Sequence, residues 1–78
     1  MGKYTTQPHW PADLKEAAAS VTRAKLIRKW RKASIMQCED EVALKYCLAH
    51  YFKADAAVNQ AKGHFDDLYS IYHELGDV

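Results

Sequence analysis

Ten apolar residues fall on one unbroken heptad register through the second half of the chain: Leu44, Cys47, Tyr51, Ala54, Val58, Ala61, Phe65, Leu68, Tyr72 and Leu75. Steps of three and four alternate along it. That spacing lines the side chains along one side of an α-helix and makes a seam for a partner helix to pack against. A chain with such a seam folds by helix-to-helix contact, and the first question is what covers it.

The first half supplies one candidate. Residues 1–9 (MGKYTTQPH) are polar and contain Pro8, which predicts an extended arm over 1–10 ahead of a single helical domain over 11–78. Pro11 suits a helix start, where its missing N–H has no partner to lose, and Asp13 and Glu16 place negative charge near that positive helix end. No Gly or Pro interrupts the stretch to about Ile35. Glu39, Asp40 and Glu41 then open a second helix after a connection at Met36–Cys38, facing the basic end of the first across a tight turn. Gly76 is the expected stop. Gly63 falls opposite the seam, where it costs helix propensity without disturbing packing.

The first helix carries two stripes. Leu14, Ala17, Ala18 and Val21 share one face, and further along that same face holds Lys25, Arg28, Lys29 and Lys32. Leu26, Ile27, Trp30 and Ala33 have moved to roughly the opposite side, counting about 100° per residue. Either the helix breaks near Ser20–Arg23 or its two ends touch different partners. Strong helix formers on both sides of the switch favour two partners.

Length sets a second expectation. A helix over 39–75 reaches about 55 Å and one over 12–35 about 36 Å, so a hairpin covers the long helix only to about residue 62. Phe65, Leu68, Tyr69, Ile71, Tyr72 and Leu75 would then lie in water, an apolar patch a soluble monomer does not carry without a purpose. The expected fold is therefore all-α: an antiparallel helical hairpin with one long heptad-patterned helix. It is completed as a dimer, or by a break near Lys53–Asp55 or Gly63 that folds the chain back to a small three-helix bundle. A domain of 78 residues buries a modest share of its surface, so added contacts matter. Phe65, Leu68, Tyr72 and Leu75 are the expected self-association residues of a homodimer.

Charge is divided between the halves. Residues 1–37 hold eight Lys/Arg against two acids, and residues 38–78 hold three Lys against eight acids. The segment Arg23–Lys32 has six positive charges with Trp30 interleaved. It suits an acidic protein partner, nucleic acid phosphates with Trp30 stacking on a base, or a solvated helix face. A pI near 7.8 counts against nucleic acid, for which a basic domain is expected. An anionic membrane surface ranks lower, and no apolar run approaches the ~20 residues of a transmembrane helix.

Catalysis and cofactors find little support. There is no phosphate-binding glycine loop, nucleophile elbow or HExxH pair, and adjacent Asp66 and Asp67 point about 100° apart on a helix. Cys47, His50 and His64 lie near one another in the heptad, but no second close pair completes a tetrahedral metal set. No cofactor or metal is expected. Cys38, at a turn, and Cys47, in the seam, are read as too far apart along one helix to bridge, which predicts free thiols and a cytoplasmic setting. Two short patterns decide nothing: Met1-Gly2-Lys3-Tyr4-Thr5-Thr6 fits N-myristoylation, and Arg31-Lys32-Ala33-Ser34 a basic-directed phosphorylation site. The expected function is a non-enzymatic protein–protein interaction module, a small adaptor or inhibitor that occupies a partner surface. Arg28, Trp30, Arg31 and Lys32 are the expected partner-binding residues, and nucleic-acid binding through 23–32 is the alternative.

Overall fold

A computed structural model of the chain describes residues 4–76. It contains two helices, α1 (Ala12–Gln37) and α2 (Glu41–Leu75), packed against each other as an antiparallel hairpin, with no strand among the described residues. The long axis of 53 Å is the length of α2, whose 35 residues rise about 1.5 Å each.

Local chemistry sets the helix ends. Pro11 is the N-cap of α1 and its carbonyl accepts the first helical bond, from the Lys15 N–H at 3.0 Å. α1 runs two residues past the expected Ile35, to Gln37, and Cys38 then leaves it in an extended conformation. Asp40 caps α2, its carboxylate accepting from the Val42 N–H at 3.4 Å and its carbonyl from the Leu44 N–H at 2.8 Å. Gly76 ends α2 in the left-handed region at φ 81°, the conformation that a glycine adopts without a Cβ clash.

α2 continues without interruption through both Lys53–Asp55 and Gly63, so the chain does not fold back to three helices. A run of strong helix formers with one outward glycine gives the backbone no reason to break. A Cβ added at Gly63 would meet nothing within 4 Å, as its position opposite the seam requires.

The core gathers at one end of the hairpin. Leu14, Ala17, Ala18 and Val21 of α1 pack with Phe65 of α2 and with Trp10, which precedes the first helix. Ala54 and Val58 continue the buried line along α2. Phe65 was expected to lie beyond the reach of α1 and to be covered by a partner or a fold-back; it is fully buried within the hairpin. Counting helix lengths alone missed part of its cover, which the non-helical residues 4–10 add to that of α1. The Trp10 N–H donates to the Gln7 carbonyl (3.2 Å), and this turn sets the Trp10 ring 5.7 Å and the Tyr4 ring 5.0 Å from Phe65. Tyr72 is drawn back as well, its hydroxyl donating to the Asp13 carboxylate at 2.7 and 2.8 Å.

Two substitutions on α2 test this division. Phe65→Ala should cost about 3–5 kcal/mol, read by urea denaturation, because it empties the middle of the core. Gly63→Ala should stabilise by about 0.5–1 kcal/mol, since it adds helix propensity into open space.

Candidate functional site

The two stripes of α1 meet without a break. Because the helix is continuous from Ala12 to Gln37, its apolar surface changes sides near Ser20–Arg23 while its axis runs on. The column that buries Leu14 and Val21 continues as Lys25, Arg28 and Lys32, which belong in water and cannot extend a core. No residue from Thr22 to Lys53 is buried, so the turn half of the hairpin is held by half-buried groups such as Ile35, Leu44, Cys47, Leu48 and Tyr51. Arg28 adds an ion pair there, its guanidinium donating to the Asp55 carboxylate at 2.9 Å.

The displaced apolar stripe lies outside the buried core, and its Ile27 edge borders the cleft with α2. Leu26 and Ile27 are each 46% exposed and Trp30 is 61% exposed. Three shallow hollows adjoin this ridge. One lies against Arg23, Leu26, Ile27 and Trp30, and a second against Ile27, Trp30, Arg31 and Ser34. The third runs into the cleft between the helices, where Ser20, Ala24, Ala54 and Ala57 leave room beside Ile27. Arg23 bonds Glu16 at 2.7 Å and the Ser20 hydroxyl at 3.1 Å, an exposed arrangement that contributes little to stability.

Of the four residues expected to bind a partner, Trp30 and Arg31 lie together beside this ridge. Arg28 is half-buried and engaged with Asp55, and Lys32 follows it one turn later on the α2-facing column. Leu26 and Ile27 were passed over as site residues, although the stripe that holds them was legible. At the far end of α2 the four expected self-association residues do not form one patch. Phe65 is buried within its own chain and Leu68 and Tyr72 are half-buried, while Leu75 is 67% exposed beside exposed Ile71. Among the described residues, Glu39, Asp40 and Glu41 make no ion pair with the basic end of α1.

The cysteines overturn an expectation. Cys38 and Cys47 do not lie along one helix: Cys38 sits in the turn and α2 carries Cys47 back beside it. Their sulfurs stand 2.9 Å apart. The Cys38 thiol also lies 3.2 Å from the Ser34 carbonyl. The hydrogen bond to Cys47, then the loss of surrounding water, then the nearby charges of Cys47 and Asp40 hold the Cys38 thiol above its usual pKa. Both are free thiols, as expected; only their expected separation is corrected.

Among the described residues no three His, Cys, Asp or Glu side chains gather as a metal site. The His50 ring packs edge-on against Tyr46 at 4.4 Å. No described helix is long and apolar enough to cross a membrane. Met1–Lys3, the start of the myristoylation pattern, lie outside the described residues. Comparison with protein-family models, curated proteins and solved structures finds no match for this chain.

The two tryptophans should report the two environments. In single-tryptophan variants, Trp30→Phe should leave a blue-shifted emission from buried Trp10, poorly quenched by iodide. Trp10→Phe should leave a red-shifted, readily quenched emission from Trp30. At pH 7 the raised pKa leaves little Cys38 thiolate, so its alkylation by iodoacetamide should be slow, and Cys47→Ala should speed it by removing the largest cause. Peptide mass spectrometry over time follows both.

Proposed function

We propose that the chain is a non-enzymatic protein–protein interaction module, a small adaptor or inhibitor that works by occupying a partner surface. One observation carries this: Leu26, Ile27 and Trp30 stand exposed in one ridge of α1 outside the buried core. Large apolar side chains grouped beside cationic ones are the composition of an interface centre, with tryptophan and arginine the residues most used there. Arg31 and Lys29, on either side of the ridge, favour a partner that presents an apolar strip edged with acidic groups. The docking set is Leu26, Ile27, Trp30 and Arg31, and the proposed setting is the cytoplasm.

Self-association remains part of the proposal, with a changed surface. Leu68, Ile71, Tyr72 and Leu75 share one helical face at the end of α2, and the exposed pair Ile71 and Leu75 is its accessible part. Nucleic-acid binding is the alternative, supported by Trp30 exposed next to Arg31. It is weakened because Arg23 and Arg28 are already paired with Glu16 and Asp55.

Quantitative capture from the native host compares three baits: the unaltered chain, Trp30→Ala with Leu26→Ala, and Phe52→Ala. The docking proposal expects a protein held by the first and third baits and lost by more than tenfold from the second. Retention on all three overturns it. Retardation of labelled DNA or RNA that falls steeply with salt would establish the alternative instead. Sedimentation equilibrium tests assembly: the chain should be dimeric at micromolar concentrations, and Ile71→Asp with Leu75→Asp should return it to monomer. Tyr72→Asp is the poorer variant, since it would also set two carboxylates against each other at Asp13.

A further inference from the structure

The turn end of the hairpin combines two features that the docking proposal does not use. It has no buried residue to hold it, and it brings two thiols together. Cys38 follows α1 directly and Cys47 lies in the second turn of α2, nine positions later. Their sulfur separation of 2.9 Å is within about 1 Å of a disulfide bond length. Both side chains are half-exposed, so a small oxidant reaches them. The extended backbone at Cys38 lies outside both helices, held to α1 by its N–H bond to the Ile35 carbonyl at 3.2 Å, so the short approach needed falls on the residue that ends the helix.

We propose that Cys38 and Cys47 are a dithiol site that a low-molecular-weight disulfide oxidises to an intrachain disulfide, stapling the turn end of the hairpin. The Cys38 thiol has two acceptors, the Cys47 sulfur and the Ser34 carbonyl, to hold its proton, so Cys47 is the first nucleophile in this scheme. As the thiolate it attacks one sulfur of oxidised glutathione, forming a mixed disulfide and releasing one glutathione thiolate. Cys38 then gives up its proton and attacks the Cys47 sulfur of that mixed disulfide, releasing the second glutathione. Two protein thiols are oxidised, one glutathione disulfide is reduced to two thiols, and the two protons end on the released glutathiones.

The bond closes a short loop across the turn. Its effect is local because the two halves of the hairpin are held so differently. From Trp10 to Val21 and from Ala54 to Phe65 the helices share a buried core, whereas residues 22–53 contain no buried side chain. In the dithiol form this half opens most readily, since few apolar contacts hold it. In the disulfide form Cys38 ties the end of α1 to α2, and with it the segment that bears Trp30.

The test uses the full chain alone, so it stands or falls separately from partner docking. The protein is equilibrated with glutathione at graded ratios of oxidised to reduced form, quenched with acid and measured by intact mass and peptide mapping. The expected product is a single chain lighter by about 2 Da with the Cys38 and Cys47 peptides joined. The oxidised form should show its largest slowing of amide exchange at residues 35–50, with a Tm higher by roughly 10 °C. Cys38→Ser should stop at the glutathione adduct on Cys47. An adduct that persists in the unaltered chain, or interchain dimers as the main product, overturns the intrachain site. A disulfide that forms with no change in exchange over 35–50 overturns the staple.

Discussion

Phe65 is the side chain on which the described structure depends. It is one ring, on one helix, and it meets Trp10 and Tyr4 from the segment before α1. It packs in the same cluster as Leu14 and Val21 of α1. A domain of this size has a small core, so one fully buried aromatic is a large share of its apolar burial. Without the rings before α1, two helices of unequal length would leave the long one bare where the short one ends. With them, residues 4–10 act as a third packing element that needs no third helix.

The opposite end of the hairpin is shaped by what α1 cannot bury. Past Val21 the column facing α2 turns cationic, and lysine and arginine keep their charged heads in water. The helices stay side by side through half-buried contacts and the Arg28–Asp55 pair, which is partly screened and contributes modestly. The apolar residues displaced from that column emerge on the outer side as Leu26, Ile27 and Trp30. A closed core at one end and an open, sticky ridge toward the other are thus two results of one shift in the sequence pattern. The proposed docking surface and the proposed thiol staple both lie in the open half.

Much of the fold was legible in particular residues. The heptad from Leu44 to Leu75 marked α2, Gly76 its end, the acids at 39–41 its start and Pro11 the start of α1, while the capping role of Asp40 among those acids was not singled out. The switch of stripes near Ser20–Arg23 was legible too, and so was the outward position of Gly63. Trp10 was not recognised as core, because a lone aromatic in a polar, proline-bearing stretch has no periodicity to betray its burial. Leu26 and Ile27 were overlooked beside a run of charges, although their place on the displaced stripe was the signal. Arg28 was taken for a free cation because nothing in its neighbourhood announces Asp55, 27 positions away.

The sequence by itself determined that this chain is two helices with one long seam, since helix periodicity, caps and the absence of internal breakers are local properties. It also determined that α1 would show apolar surface on two different sides. Only the tertiary structure decided which surfaces remain open. Burial of Phe65 depends on a non-helical segment returning to a helix more than fifty residues away, and the meeting of Cys38 with Cys47 depends on where α1 ends and the chain turns. Both are contacts between parts of the chain that no local spacing relates. They exist only once the helices have docked and the turn has set their register.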